Sequence, residues 1–330
     1  MRWVRRLAFL VPLAAVLALA GSVQLPYYSL APGPVRAVQP LIRFDGPPRY
    51  ESEGSFVLTS VRFQRLTAIG VLSAWADPDR DVVPRSALFA PGETPEEERR
   101  RATSQMDQSK LAAIAVVLRE LTAYPRRHGD GVLVESVVDG CAADGRLYPG
   151  DLIHAVDGTE VATVREARRA IGSVPSGTRL TFEVAVDGEP RTVRLLRAPC
   201  GASGDPLVGV SLINSFPFEV RISSGEIGGP SAGLMWALGL YDLLTPGDLT
   251  GGRTIAGTGL LATDGTVHPI GSIDEKILAA AEAGATVLLV PERNLTEARG
   301  LDDRGLELVP VASFADALAY LEGGPEGDPS

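Results

Sequence analysis

At 330 residues and a net charge of −10, the chain is long enough for about two or three domains with sizeable buried cores. No basic stripe interrupts the acidic balance, which argues against nucleic acid as a partner. No CxxC or clustered His/Cys pattern points to a metal site, and no cofactor is expected.

The N-terminus carries Arg2, Arg5 and Arg6, followed by a run without charge from Leu7 to Leu25. A membrane span needs about 20 apolar residues. The arginines would then stay cytoplasmic, with everything after Pro26 outside. This makes residues 1–25 an expected single-pass anchor. A signal peptide cut after Ala18-Leu19-Ala20 is the alternative, giving a secreted form. Either way Cys141 and Cys200 lie outside the cytoplasm, where they form a disulfide or remain as two thiols.

From Pro26 to about Pro48 the chain is proline-rich and reads as a linker or extended arm. The whole of 26–125 has no role that its residues reveal. Within it, Gly54 to Phe63 reads as one strand, Asp77 to Arg101 as a solvated loop or short helix, and Ser109 to Leu121 as a helix. Next come a strand at Gly131–Val138, the turn-rich Pro149-Gly-Asp-Leu-Ile-His-Ala-Val-Asp-Gly158, and a helix at Thr163–Ile171. Two alternating strands, Thr178–Val186 and Pro190–Leu196, meet at an Asp187-Gly188 hairpin turn. After Gly201 strands and helices alternate. Phe216–Ser223, Arg253–Leu261, Val267–Ile270 and Val287–Pro291 read as strands, and Ser231–Leu244, Ile273–Ala283 and Phe314–Leu321 as helices. Residues 323–330 read as a disordered tail. The fold class is a multidomain mixture of α+β and α/β.

Two of the 31 basic residues are lysine, Lys110 and Lys276. Arginine stays protonated, whereas a lysine can be tuned to release its proton. Ser272 and Glu275 have capping-box spacing, which starts a helix at Ser272 and puts Lys276 in its first turn. There the helix dipole and burial would both favour a neutral amine, able to act as a general base. A solvated surface lysine is the plain alternative. Upstream lies Gly229-Pro230-Ser231-Ala232-Gly233. Pro230 fixes the turn, while Gly228, Gly229 and Gly233 allow close backbone approach. Amides at the following helix start could hold an oxyanion. Ser231 is thus a nucleophile or merely a helix cap. The Gly-x-Ser-x-Gly pattern also matches a hydrolase nucleophile elbow, for which His268 is the only downstream histidine.

The order of elements around the Pro149–Gly158 segment resembles a bacterial-type PDZ domain over 126–199. This implies binding of extended peptides by strand addition. The family's carboxylate-binding glycine loop is not found in these residues. The section 200–322 resembles the proteolytic domain of the Lon family of Ser–Lys proteases. The likeness lies in Gly229–Gly233, Ala256-Gly-Thr-Gly259, Pro269-Ile-Gly-Ser-Ile-Asp-Glu-Lys-Ile-Leu-Ala-Ala-Ala-Glu-Ala-Gly284 and Val287–Pro291. It implies Ser231 as nucleophile, Lys276 as general base and Thr258 as the hydroxyl that positions the lysine amine. The layout of span, PDZ domain and Lon-type domain resembles membrane-anchored PDZ-containing Lon-like proteases of bacteria.

Two departures matter. There is no G-x-x-x-x-G-K-[ST] loop, so ATP-independent cleavage of unfolded or exposed segments is expected. The acidic residue that ATP-dependent Lon proteins place three before the nucleophile is Gly228 here. The resemblance also implies polypeptide substrates, a peptide ligand for the PDZ domain and a homo-oligomer, hexameric by likeness. A substrate strand is expected to pair alongside Phe216–Ser223. A peptide-binding scaffold with an inactive protease-like domain is the rival reading.

Overall fold

The computed structural model describes residues 18–77, 79–186, 188–202 and 204–323. Most of the uncharged N-terminal run, the turn residue Asp187 and the expected tail beyond Gly323 lie outside them. Among the described residues no helix is long and apolar enough to cross a membrane. Gln24 and Leu25, the last residues of the stretch expected as a span, belong to a strand.

The segment expected as a linker is built into the fold. β1 (Gln24–Pro32) is the centre of a three-stranded antiparallel sheet, flanked by β5 (Val61–Thr67) and β6 (Asp81–Pro84). Between them, β2 (Arg36–Ala37) pairs with β4 (Ser55–Leu58), and β3 (Ile42–Phe44) pairs with a distant strand at Val220–Ile222. The single strand expected over 54–63 is therefore two strands in two different sheets. α1 (Ala68–Trp75) and α2 (Arg85–Leu88) pack on the three-stranded sheet. α3 (Pro95–Leu121) starts within the stretch expected as a loop or short helix, on a Thr94–Glu97 capping box with Pro95 in its first turn. Its exposed first turns carry the charges, and Leu111 to Leu118 are buried without a break.

A separate unit follows: β7 (Val132–Val137), β8 (Leu152–Val156), β9 (Thr159–Glu160), α4 (Val164–Gly172), β10 (Arg179–Val186) and β11 (Glu189–Leu196). The short β12 (Ala198–Pro199) and β13 (Pro206–Leu207) then lead to β14 (Val210–Asn214), which pairs with β7 to complete the sheet order β11-β10-β8-β7-β14. This unit therefore runs past its expected end at 199, and its core includes Leu212 beside Phe182 and Ile153. Cys141 and Cys200 are disulfide-bonded within it. Entry and exit lie side by side: Gly129 N donates to Ser215 O and Ser215 N to Gly131 O, both at 3.3 Å. Chain ends that meet in this way allow a unit to be inserted into another fold.

The host fold resumes with β15 (Val220–Ile222), α5 (Gly233–Leu244), β16 (Thr254–Gly257), β17 (Leu260–Leu261) and β18 (Val267–His268). α6 (Ile273–Glu282), β19 (Val287–Pro291), α7 (Leu295–Ala298), β20 (Glu307–Val311) and α8 (Phe314–Gly323) complete it. Its five-stranded sheet has the order β2-β4-β16-β19-β20, with β4, β16, β19 and β20 parallel. Alternation along each strand divides the side chains between two cores. Phe56, Leu58, Ile255 and Leu289 meet α3, α5 and α8 on one face. Val57, Ala256, Leu288 and Val290 meet α6 and α7 on the other. Covered on both faces, β19 is buried at all five positions. α5 lies in the middle and is buried nearly all round.

The catalytic-type domain thus is not the contiguous 200–322 expected. It needs β4 beside β16, and it ties residues 39–52 to α5 through buried Asp242, which accepts from Gln39 Nε2 at 3.3 Å and Ser52 Oγ at 2.5 Å. Local patterns could not show this, because the partners are separated by the inserted unit. Phe56→Ala, a change in the N-terminal region whose role the sequence left open, is expected to cost about 3–5 kcal/mol of the host domain's stability. Urea denaturation measures it, and a loss under about 0.5 kcal/mol would mean that 55–58 is not core.

Candidate active site

Ser231 and Lys276 line one cavity of about 1350 Å³. Its floor is the 224–232 loop that leads into α5. One wall is α3 from Glu98 to Lys110, and another is formed by β1 and β5 through Leu30, Val61 and Phe63.

The turn bearing Ser231 is held from three sides. Gly229 has φ +88°, a conformation that glycine adopts without strain, and its N–H donates to Ala102 O on α3 at 2.8 Å. Ser109 Oγ, also on α3, donates to Pro230 O at 3.1 Å. Gly259 N, just after β16, donates to Ser231 O at 2.8 Å. Gly233 sits against β17, where an added Cβ would lie 2.9 Å from Leu261 Cβ, so α5 approaches only because that position lacks a side chain. Ser231 precedes the helix proper: the N-cap is Ala232 and no side chain caps α5. The cap reading of Ser231 is thereby overturned, and the helix starts two residues later than expected.

Lys276 lies in the first turn of α6, as expected, but the capping box does not form. Ser272 is left-handed, with φ 58° and ψ 49°, and its side chain makes no cap bond. Glu275 is 3% exposed, turned inward rather than back to Ser272, and burial pushes its carboxyl up. Lys276 is 4% exposed. Desolvation pulls its amine from 10.5 down to about 7, with the Glu275 charge opposing. The surface-lysine reading is therefore wrong. Lys276 Nζ donates to Thr258 Oγ1 at 2.9 Å, and Thr258 Oγ1 donates to Ser231 O at 3.2 Å. Thr258 is wholly buried at the end of β16. A chain of two hydrogen bonds thus joins the amine to the backbone of Ser231.

His268 is exposed on β18 and is not among the residues lining the cavity that holds Ser231. Lys110, the other lysine, does line the cavity and pairs with Asp107 at 2.9 Å. The strand expected at 216–223 contracts to β15, because only Val220 to Ile222 find a partner in β3. Sequence reasoning missed Ala102 and Ser109; the small residues along α3 were the available signal. Among the described residues no group of His, Cys, Asp or Glu could hold a metal ion.

Residues 218–320 match the Lon protease (S16) C-terminal proteolytic domain, and residues 112–196 match the PDZ domain. The chain thus carries a proteolytic domain of the Lon serine-protease type together with a PDZ domain. The Lon protease of Phenylobacterium zucineum (strain HLK1) is 32% identical over 141 residues, covering 41% of this chain and 17% of that protein. The Lon protease of Rickettsia bellii (strain RML369-C) is 32% identical over 110 residues, covering 32% of this chain and 14% of that protein. The matched stretch therefore spans less than a fifth of these relatives. A crystal structure of the PDZ domain of an SdrC-like protein from Listeria monocytogenes is 27% identical, covering 26% of this chain and 88% of that one, with a TM-score of 0.24.

The Lys276 shift has a consequence for stability. The unfolded chain takes up its proton near 10.5, the folded one only near 7. Between these values the unfolded state binds more protons, so stability falls as pH drops through that window and levels off below it. Urea midpoints of the wild type and Lys276→Met, measured from pH 10 to pH 6, are expected to diverge on descent to about 7 and then run parallel. Curves parallel throughout would mean that the amine titrates normally.

Proposed function

We propose that the chain is an ATP-independent serine endopeptidase working through a Ser231–Lys276 dyad. The observation that carries this reading is the buried Lys276 amine, with its affinity lowered to about 7 and its hydrogen bond to Thr258 Oγ1. Near neutral pH a substantial fraction of it is neutral and able to accept a proton. Ser231 Oγ attacks the scissile carbonyl carbon and its proton passes to Lys276 Nζ. Amides at the start of α5, around Ser231 and Ala232, hold the oxyanion. The C–N bond then breaks, Lys276 returns the proton to the leaving amine, and water hydrolyses the acyl-enzyme. Thr258 is a positioning residue that orients the amine toward the serine turn.

The substrates proposed are unfolded or exposed polypeptide segments, threaded along the Ser224–Gly228 backbone that lines the cavity. The PDZ domain captures or gates them by strand addition. The residues from Leu7 anchor the chain in a membrane, with the catalytic part outside the cytoplasm, and the assembly is a homo-oligomer.

Full-length protein in detergent, given an unfolded protein and no ATP, tests the reading by mass spectrometry of the products. Ser231→Ala and Lys276→Ala are each expected to lose roughly 10⁴-fold in kcat/KM. Thr258→Val should lose roughly 10²-fold, mostly in kcat, through misplacement of the amine. In the wild type kcat/KM should rise with pH on a limb near 7 and then level off. Unchanged cleavage by Ser231→Ala, or by Lys276→Ala, would refute the dyad.

A further inference from the structure

On the far side of the β5-β1-β6 sheet from the catalytic cavity, α1 exposes an unusual face. None of its eight residues is charged. Ile69, Leu72 and Trp75 are 40%, 67% and 78% exposed, while only Ala74 is buried. A helix on a water-facing surface ordinarily turns such side chains inward. Leu19, Val23 and Tyr27 extend the exposed apolar surface along the chain entering β1. A methyl group placed on Gly21 would touch Ile69 Cδ1 at 3.6 Å, so this segment lies directly against the helix. Upstream of it come Leu7 to Leu17 without a charge, preceded by Arg2, Arg5 and Arg6.

We propose that the exposed face of α1, together with Leu19 and Val23, is a bilayer-contact surface. Ile69 and Leu72 enter the boundary of the acyl chains, and Trp75 sits at headgroup level, where its ring is apolar and its N–H stays hydrated. The occupant follows from where the apolar run meets the described fold: a segment that inserts upstream of Ala18 emerges beside Ile69 and brings α1 to the same surface. This inference rests on the membrane anchoring proposed above. It adds an orientation, because the opposite side of the β5-β1-β6 sheet supplies Leu30, Val61 and Phe63 to the cavity wall. Ser231 then works one sheet away from the bilayer, on segments that emerge at its surface.

The chain has three tryptophans, Trp3, Trp75 and Trp236, and Trp236 is fully buried in the host core. Full-length Trp3→Phe protein, reconstituted with vesicles of phosphatidylcholine and phosphatidylglycerol, leaves Trp75 as the reporter. Its emission is expected to shift to the blue, to be quenched by phosphatidylcholine brominated near the headgroup end of the acyl chain, and to resist aqueous iodide. Adding Trp75→Phe should abolish the bromolipid quenching. Protein that floats with the vesicles while Trp75 remains open to iodide and untouched by bromolipid would overturn the proposal and leave anchoring intact. Shielding from both quenchers would also overturn it, since α1 would then be covered by protein, such as a second copy. Failure to float would remove the anchoring, and the contact surface with it.

Discussion

The site depends on keeping one amine out of water. Moving an ammonium into a protein interior costs several kcal/mol unless it is paired, and the usual escape is to give up the proton. The hydrogen bond Lys276 makes goes to a neutral hydroxyl, that of Thr258, and the neighbouring Glu275 carboxyl is itself pushed up by burial. Neither compensates a full positive charge as an ionised carboxylate would. The walls that exclude water from the amine therefore also set its proton affinity. Those walls are α6, the end of β16 and the sheet behind them, all of which must be in place before the lysine gives up its proton near neutral pH.

Thr258 shows how tightly this requirement constrains the rest. Its side chain links the amine to Ser231 O, and its own N–H donates to Leu289 O at 3.1 Å. β19 thereby sets the depth of β16, and β16 sets the position of the Ser231 turn. On the opposite side α3 holds the same turn through Ala102 and Ser109. Serine and lysine come from different elements, and their common reference is the parallel sheet. In that sheet β16 is internal only because β4, from the N-terminal part, pairs on its other edge.

Insertion of the PDZ unit between α3 and β15 gives the molecule its second organising feature. Both of its connections lead to the cavity: α3 lines it on entry, and the exit segment passes through β15 and reaches the lining at Ser224. Tyr124, at the junction, is buried and donates to Asn214 O at 2.9 Å, fastening entry to exit. Burial pushes its phenol up to about 12, so this clasp stays protonated at ordinary pH. The disulfide lies wholly within the inserted unit, so that unit carries its own cross-link as well as its own core.

By itself the sequence determined what is local. The uninterrupted Val287–Pro291 run marked a strand covered on both faces, and the spacing of apolar residues placed α4, α5 and α6 to within a few residues. The scarcity of lysine singled out Lys276, and the glycines around Ser231 marked a special turn. Thr94-x-x-Glu97 with Pro95 was equally legible as a helix start, but the charges after it resembled a solvated loop. Tertiary structure alone decided the matters that join distant segments. It gave β4, expected as part of a strand with no known partner, a place in the central sheet, made α3 the clamp on the serine turn, and turned Glu275 inward so that the expected capping box with Ser272 did not form. The physical reason is the same in each case. Propensity and periodicity report which face of a segment wants burial, whereas the partner that buries it can lie about 200 residues away, as β16 does from β4.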